Sequence, residues 1–429
     1  MEEKFRKYII LWLSQSVSGL GSSMTGFALV LWAYGQSHSA MSVSLMSFCN
    51  YVPYIIVSLL VGGFIDRHKK KNIMLVSDSI AAAGSLAVLA FFLAGHLAVW
   101  NIYLINIIIG VTNAFQQPAS AVATGRLVPK EKISNVSGMN SFSGNLIVVF
   151  SPMLAAFLYA AGGLPLILLI DLASFACAFC VLLFFIQIPE LPAEEKSSSP
   201  FAGIAEGFAF LQTEKGILYI MLTMALINFF SRLTYENILS PMILARSSGS
   251  SIALGIVNAC MGIGGIAGGI VVSVKKESRR KAMAIYVSAA LSFLFGDLMM
   301  AAGRNVFWWS FAAAAASFPI PFIQANQNAI LYRRIPEAMQ GRVFAVRNAV
   351  QYSTIPVGII LGGYLADYIF EPFMRSGNGM SGILKNIVGS GSGSGMASMF
   401  LCTGLCGFAV SMASCFHREI KKLDCSDER

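Results

Sequence analysis

Gly62-Gly63-Phe64-Ile65-Asp66-Arg67-His68-Lys69-Lys70-Lys71-Asn72 lies between two long apolar stretches. A weaker copy recurs about 206 residues later, where Gly268-Gly269 is followed by Lys275, Lys276, Arg279, Arg280 and Lys281. Apolar helix, glycine pair, basic turn and apolar helix, written twice, describes a membrane protein of two similar halves that move against each other around a central site. The register returns elsewhere. Arg126-Leu127-Val128-Pro129 followed by Val136 matches Arg333-Arg334-Ile335-Pro336 followed by Val343 at an offset of 207, which also sets Gln117 on Gln324. Pro152 matches Pro356 at an offset of 204. Agreement among several offsets marks a real internal repeat.

A chain of 429 residues that is 56% apolar and 12% charged, with mean hydropathy +0.69, is not a soluble globular protein. Twelve apolar runs are long enough to cross roughly 30 Å of hydrocarbon as helices. They fall at 7–34, 41–65, 73–94, 98–121, 134–161, 164–187, 216–244, 251–274, 282–302, 305–331, 340–369 and 396–417, the fifth and eleventh beginning as collars outside the membrane. No barrel-type strand alternation is visible, so the fold class is an all-α bundle. The first run is too long for a cleaved signal and reads as a retained span. The domains are then an N-terminal six-helix half (1–187), a linker (188–215) with an amphipathic segment around Phe201 to Leu211 lying on the membrane surface, and a C-terminal six-helix half (216–429). Because six spans separate equivalent points, the halves share an orientation and a pseudo-two-fold axis along the membrane normal. Gly389 to Gly395 alternates with serine and reads as a flexible linker or as a tight external loop.

The net charge of +9 would point to nucleic acid in a soluble protein, but its placement points to membrane topology. Of 30 Lys and Arg, only Arg246, Arg304, Arg375 and Lys385 lie in loops on one side; Arg232 is inside a span and the remaining 25 lie on the other. The positive-inside rule makes that other side the cytoplasm, so both termini are cytoplasmic. The basic clusters contact anionic membrane lipids, and no nucleic-acid partner is expected. The eight cysteines lack zinc-ligand spacing and the four histidines sit singly at span ends, so no metal site is expected. Loops this short assemble no catalytic triad and no nucleotide-binding motif occurs, so neither enzyme activity nor a cofactor is expected.

The spacing Gly62, Asp66, Arg67, Lys70, Lys71 resembles the loop signature of the major facilitator superfamily, with Lys69 where a glycine is usual. Finer features resemble its macrolide-efflux branch of drug:proton antiporters, to which siderophore exporters are related. They are Gln15 through Ser22-Ser23, Asp78, Phe115-Gln116-Gln117-Pro118, Asp171-Leu172-Ala173-Ser174-Phe175 and Ala366-Asp367-Tyr368-Ile369-Phe370-Glu371-Pro372. The resemblance implies twelve transmembrane helices, a gating latch made by Asp66 and Arg67 with Asp78 and Arg126 nearby, and a cavity lined by spans one, four, seven and ten. A plain basic anchor is the alternative for the loop, and in the second copy the aspartate position is Val272. Two departures stand out: span four lacks the arginine many proton-coupled exporters carry, and Ser151-Pro152 replaces a glycine-proline element.

Ionisable residues inside a membrane are costly and default to functional candidates. Arg232 and Glu236 are four apart on span seven, hence on one helix face and able to pair. Glu236 is the candidate proton or cationic-substrate site and Arg232 its tuning partner; a structural ion pair is the alternative. Asp171 and Asp297 read as helix-to-helix hydrogen-bonding groups. Cavity-lining candidates are Gln15, Ser18, Asn106, Asn113, Gln117, Asn228, Phe229, Tyr235, Gln324 and Asn328, with helix packing as their alternative role. Pro152 and Pro356 remove backbone hydrogen bonds and soften their helices for rocking. The expected protein is a monomeric, multi-pass secondary exporter in the cytoplasmic (inner) membrane of a bacterium. It would expel a bulky amphiphile, macrolide-like or another drug, in exchange for protons. Alternatives are export of an endogenous siderophore, peptide or lipid-like metabolite, and a non-transporting receptor or scaffold.

Overall fold

A computed structural model describes residues 2–58, 61, 64, 68–128, 133–188, 208–274, 278, 280–376 and 379–427. Of the latch residues, Gly62, Asp66 and Arg67 lie outside the described residues, as does the Arg126 side chain, although its helix is described.

Among the described residues eleven helical segments are long and apolar enough to cross a membrane: Phe5–Ser37, Ala40–Ser58, Lys70–Leu93, Val99–Thr124, Ser143–Phe185, Lys215–Arg246, Ser251–Val274, Lys281–Ala302, Val306–Leu331, Ser353–Arg375 and Ser394–Phe416. Hydrocarbon offers the backbone no partner, so an apolar run must satisfy its own N–H and C=O groups as helix. Ser143–Phe185 has 43 residues, about 65 Å if straight and twice the hydrocarbon thickness. It is divided at Gly163, whose φ of 65° and ψ of −164° break the helix. Glycine alone adopts that backbone readily, and Pro165 then starts the next helix with a pre-set φ. The segment therefore holds spans five and six, consistent with twelve crossings. The helices that carry spans five and eleven begin at Ile133 and Glu337.

Packing divides the chain into two compact units, Met1–Glu195 with Ser250–Ala259, and Lys196–Gly249 with Cys260–Arg429. In the first, one apolar cluster gathers Tyr8, Leu11, Met74, Leu127 and Leu182, and a second gathers Met24, Leu29, Val88, Ile102 and Leu168. Span one approaches span six closely at Gly21, where a Cβ would meet Ser174 Oγ at 2.5 Å. Asp171 binds this contact: it accepts from Ser22 (3.0 Å), Thr25 (3.0 Å) and Ser85 (2.9 Å), joining spans one, three and six. Since lipid tails are as apolar as leucine, such bonds, each about 0.6–1.7 kcal/mol, hold spans together where the hydrophobic effect does not.

In the second unit the core runs through Ile220, Met224, Ile285, Tyr286, Phe293 and Ile330. Leu211, at the end of the segment expected on the membrane surface, is fully buried with Ile217, Met221 and Leu331, and residues 201–207 of that segment lie outside the described residues. The linker's end thus packs on protein as well. At the chain's end, Asp424 accepts from the N–H groups of Ala282 (2.8 Å) and Met283 (3.0 Å), capping span nine and docking the helix Arg418–Asp427. Large apolar side chains face outward in both units, among them Phe157, Phe184, Trp100, Phe307 and Val274, the pattern of a lipid-facing surface.

Candidate functional site

A cavity of about 1020 Å³ opens in the first unit at the end carrying the N-terminus. Span one contributes Tyr8, Trp12, Gln15 and Ser16, span four Gln116, Gln117 and Ser120, and the helix leading into span five Asn140 and Ser143. Its walls are partly tied to each other. Tyr8 OH donates to Asn140 Oδ1 at 3.1 Å, Ser143 Oγ to Ser16 Oγ at 2.7 Å, and Tyr54 OH to Gln117 Oε1 at 2.9 Å. Behind them stands Asp78, which accepts from Gln15 Nε2 (3.3 Å) and Gln116 Nε2 (2.8 Å). Among the described residues Asp78 thus links spans one and four, while the partners expected for it in the gating network, Asp66, Arg67 and the Arg126 side chain, lie outside the described residues. Neighbouring glutamines reach it because Gln15 and Gln116 meet where those two spans pack.

Two polar atoms of this lining are left over. Trp12 Nε1–H and Gln116 Oε1 are buried and have no hydrogen-bond partner. An unmade buried hydrogen bond costs about 1–3 kcal/mol, so an unpaired donor and an unpaired acceptor on one cavity wall are groups that a ligand can satisfy. Neither residue stood among the cavity candidates. The Phe115-Gln116-Gln117-Pro118 run contains the signal, but the sequence does not say which of two adjacent glutamines faces inward.

In the second unit the charged pair forms: Arg232 Nη1 donates to Glu236 Oε2, with the two side chains 37% and 20% exposed. The helical placement changes, however. Helix Lys215–Thr234 ends before Glu236, residues 235–238 form a turn, and a second helix runs Leu239–Arg246. Span seven is therefore discontinuous, and Glu236 sits in the break rather than on a helix face. Discontinuous spans are tolerated where the irregular backbone is buried in protein or lines a cavity, and they carry binding sites in many transporters. Asn237 supports the break from inside: it is fully buried, its Nδ2 donates to Ile359 O at 2.9 Å, and its Oδ1 has no partner. Gly358 and Gly362 let span eleven lie against Arg232 and Leu233 there.

The other candidates scatter. Tyr235 turns into the unit, its ring edge-on to Phe400 at 5.2 Å and its hydroxyl buried, so it does not line an open cavity. Asp297 lies beside it, 1% exposed and accepting from Thr403 at 3.3 Å. Asn106 donates to its own helix at Ile102 O and its carbonyl accepts from Asn50. Asn328 accepts from Arg347 at 3.0 Å, and Gln324 is exposed on the same helix. Ser18, Asn113, Asn228 and Phe229 are half-buried, the last beside Phe230 at 5.9 Å. Pro152 and Pro356 lie inside continuous helices. Lys71 donates to Leu183 O at 2.8 Å, while Lys70 is buried at the start of span three. Among the described residues no His, Cys, Asp or Glu group could hold a metal ion.

Comparisons with known proteins bear on the family and the fold. The chain is 28% identical over 371 residues to macrolide efflux protein A of Streptococcus pyogenes, covering 85% of this chain and 90% of the relative. It is 24% identical over 382 residues to the enterobactin exporter EntS of Shigella flexneri, covering 88% and 89%. A bacterial homologue of the iron transporter ferroportin, solved in an inward-facing state, superposes with a TM-score of 0.68 at 14% identity, over 96% of this chain and 99% of that one. Residues 11–359 match the model of the Major Facilitator Superfamily. A membrane-spanning chain with this repeat, this helical fold and these relatives is a transporter, and it belongs to the Major Facilitator Superfamily.

Proposed function

We propose that the chain exports bulky amphiphilic compounds, macrolide-like or other drugs, by alternating access driven by proton influx. In this reading residues 1–187 and 216–429 are the moving halves of a monomer in the bacterial cytoplasmic membrane, with both termini in the cytoplasm. The observation that carries it is the first unit's cavity, which combines the Trp12 and Tyr8 rings with an unpaired buried donor and acceptor. Drug-sized sites are mostly apolar with a few placed polar groups, and about 1020 Å³ suits a large ligand. Similarity to macrolide efflux protein A supports the substrate class. For coupling, Glu236 is the carboxylate that binds and releases the proton, because its partner Arg232 and the broken helix around it can change its surroundings as access alternates.

Inverted membrane vesicles from an efflux-deficient host test this directly. Uptake of a macrolide that follows the proton gradient, and collapses with a protonophore, is the expected result. Gradient-independent uptake would remove proton coupling, and no uptake across a drug panel would remove the substrate class. The similarity to EntS favours a second reading, export of a siderophore. Vesicles that accumulate a catecholate siderophore but no macrolide would select it.

A further inference from the structure

Only four Lys and Arg residues lie in loops on the side away from the termini, and three of them converge. Arg246 at the end of span seven, Arg304 ahead of span ten and Lys385 line one polar pocket of about 560 Å³, closed by Gly389, Ser390 and Ser392. A transporter that spaces its few outward cations for topology alone has no reason to gather them, since like charges repel.

Arg246 is fixed from several sides. Its guanidinium lies over the Trp309 ring, 5.9 Å from the centroid, and its Nη2 donates to Val388 O at 2.5 Å. Arg304 Nη2 donates to Asn386 O at 3.1 Å. These bonds cap the C-terminus of helix Gly379–Val388, which accounts for one N–H of each guanidinium out of five. The rest of the charge is left over. Arg246 Nη1 is buried without a partner, and Lys385 has none among the described residues. Among the described residues Glu371 is the carboxylate that acts on Arg246, and it faces the first N–H groups of span twelve.

The Gly-Ser run is built around this cluster and is not a free linker. Gly389, Gly391 and Gly393 all have positive φ (86°, 100° and 83°). A Cβ on Gly389 would stand 2.9 Å from Arg246 Nη2, and one on Gly393 2.9 Å from Arg246 Cγ. Alternating left-handed glycines turn successive backbone N–H groups toward one side, a geometry that favours anions.

We propose that this pocket binds a phosphate-type anion, and that its source is the headgroup of an anionic phospholipid. The helix supplying Lys385 favours the lipid over free phosphate. Met380, Ile383 and Ile387 occupy one face of it and are 69%, 66% and 45% exposed, whereas Ser381 and Val388 are buried. A short helix with an outward apolar face beside a cationic pocket lies at the headgroup level, acyl chains against the apolar face and phosphate against the cations.

The test uses the full chain in nanodiscs of phosphatidylcholine with and without phosphatidylglycerol, and in detergent with and without inorganic phosphate. Phosphatidylglycerol raises Tm by about 3 °C or more, as expected for a ligand of the folded state, and Arg304→Gln/Lys385→Gln loses that rise while keeping its Tm in phosphatidylcholine. Arg246 is left intact because it packs on Trp309. Equal rises in both proteins, or none in either, overturn the site. Stabilisation by inorganic phosphate without any by phosphatidylglycerol overturns the lipid as source. Should the double variant not fold, Lys385→Gln alone, with lipid retention read by native mass spectrometry, decides the same question.

Discussion

Asp78 and Glu236 are membrane-embedded acids of the two units, and their partners differ in kind. Asp78 is held by two neutral amides, Gln15 and Gln116, beside a roomy cavity. Glu236 is held by a cation, Arg232, at a break in span seven. The repeat that sets the spans therefore does not repeat the chemistry. An amide clasp gives a carboxylate geometry without balancing its charge, whereas a guanidinium balances it and makes the pair sensitive to any loss of either partner. Under the proposed function, the first half recognises substrate and the second responds to the proton.

The strongest challenge to that contrast is Glu236→Gln beside Asp78→Asn. Proton-driven transport in proteoliposomes falls about tenfold or more in Glu236→Gln, equivalent to about 1.4 kcal/mol, while counterflow of substrate without a gradient persists. Asp78→Asn keeps gradient dependence. The reverse outcome would exchange the roles of the halves.

Asn237→Ala ranks next. Losing a buried amide at the span-seven break costs about 1–2 kcal/mol of stability, read as a lower Tm in detergent. Asn140→Ala, at the exposed rim of the first cavity, stays within about 0.5 kcal/mol. Equal costs would mean that the break is no more demanding than the cavity wall. Asp424→Ala removes the cap of span nine and costs about 1 kcal/mol. Faster hydrogen exchange at the Ala282 and Met283 amides checks it, and unchanged exchange would show that the C-terminal helix does not secure the second unit.

The smallest effect is the most diagnostic of recognition. Trp12→Phe keeps the ring volume class but removes the unpaired N–H. Half-saturation by substrate rises about threefold to tenfold, the worth of one hydrogen bond, while Tm of the empty protein stays level or rises because an unsatisfied buried donor is gone. An unaltered half-saturation would take Trp12 out of the binding wall.

Much of the fold was legible from residues alone. The runs at 134–161 and 164–187 meet at the break the structure shows at Gly163, inside Gly162-Gly163-Leu164-Pro165. The Arg232–Glu236 pairing was legible as an i, i+4 spacing, and it survives the end of the helix because a four-residue separation across a tight turn still brings the side chains together. The partners of Asp78 were not legible. The amides that reach it come from spans one and four, and neither spacing nor composition says that those two spans meet there. Tyr235 looked like a cavity aromatic and is turned onto Phe400 instead. The Gly-Ser run looked like a linker because its composition is low in complexity, although its glycines are demanded by positive φ and by the Arg246 side chain beside them.

The sequence by itself determined the all-helical class and the membrane-spanning character of its apolar runs. These follow from each segment's own free energy in hydrocarbon or at its surface, which depends on local composition. Only tertiary structure decided the rotation of each helix about its axis, and with it which polar atoms meet. Helix rotation is set by packing against neighbours, and a turn of one residue, about 100°, exchanges Gln116 for Gln117 at Asp78. The unpaired Trp12 and Gln116 atoms, the break at Glu236 and the gathering of Arg246, Arg304 and Lys385 are all products of that packing.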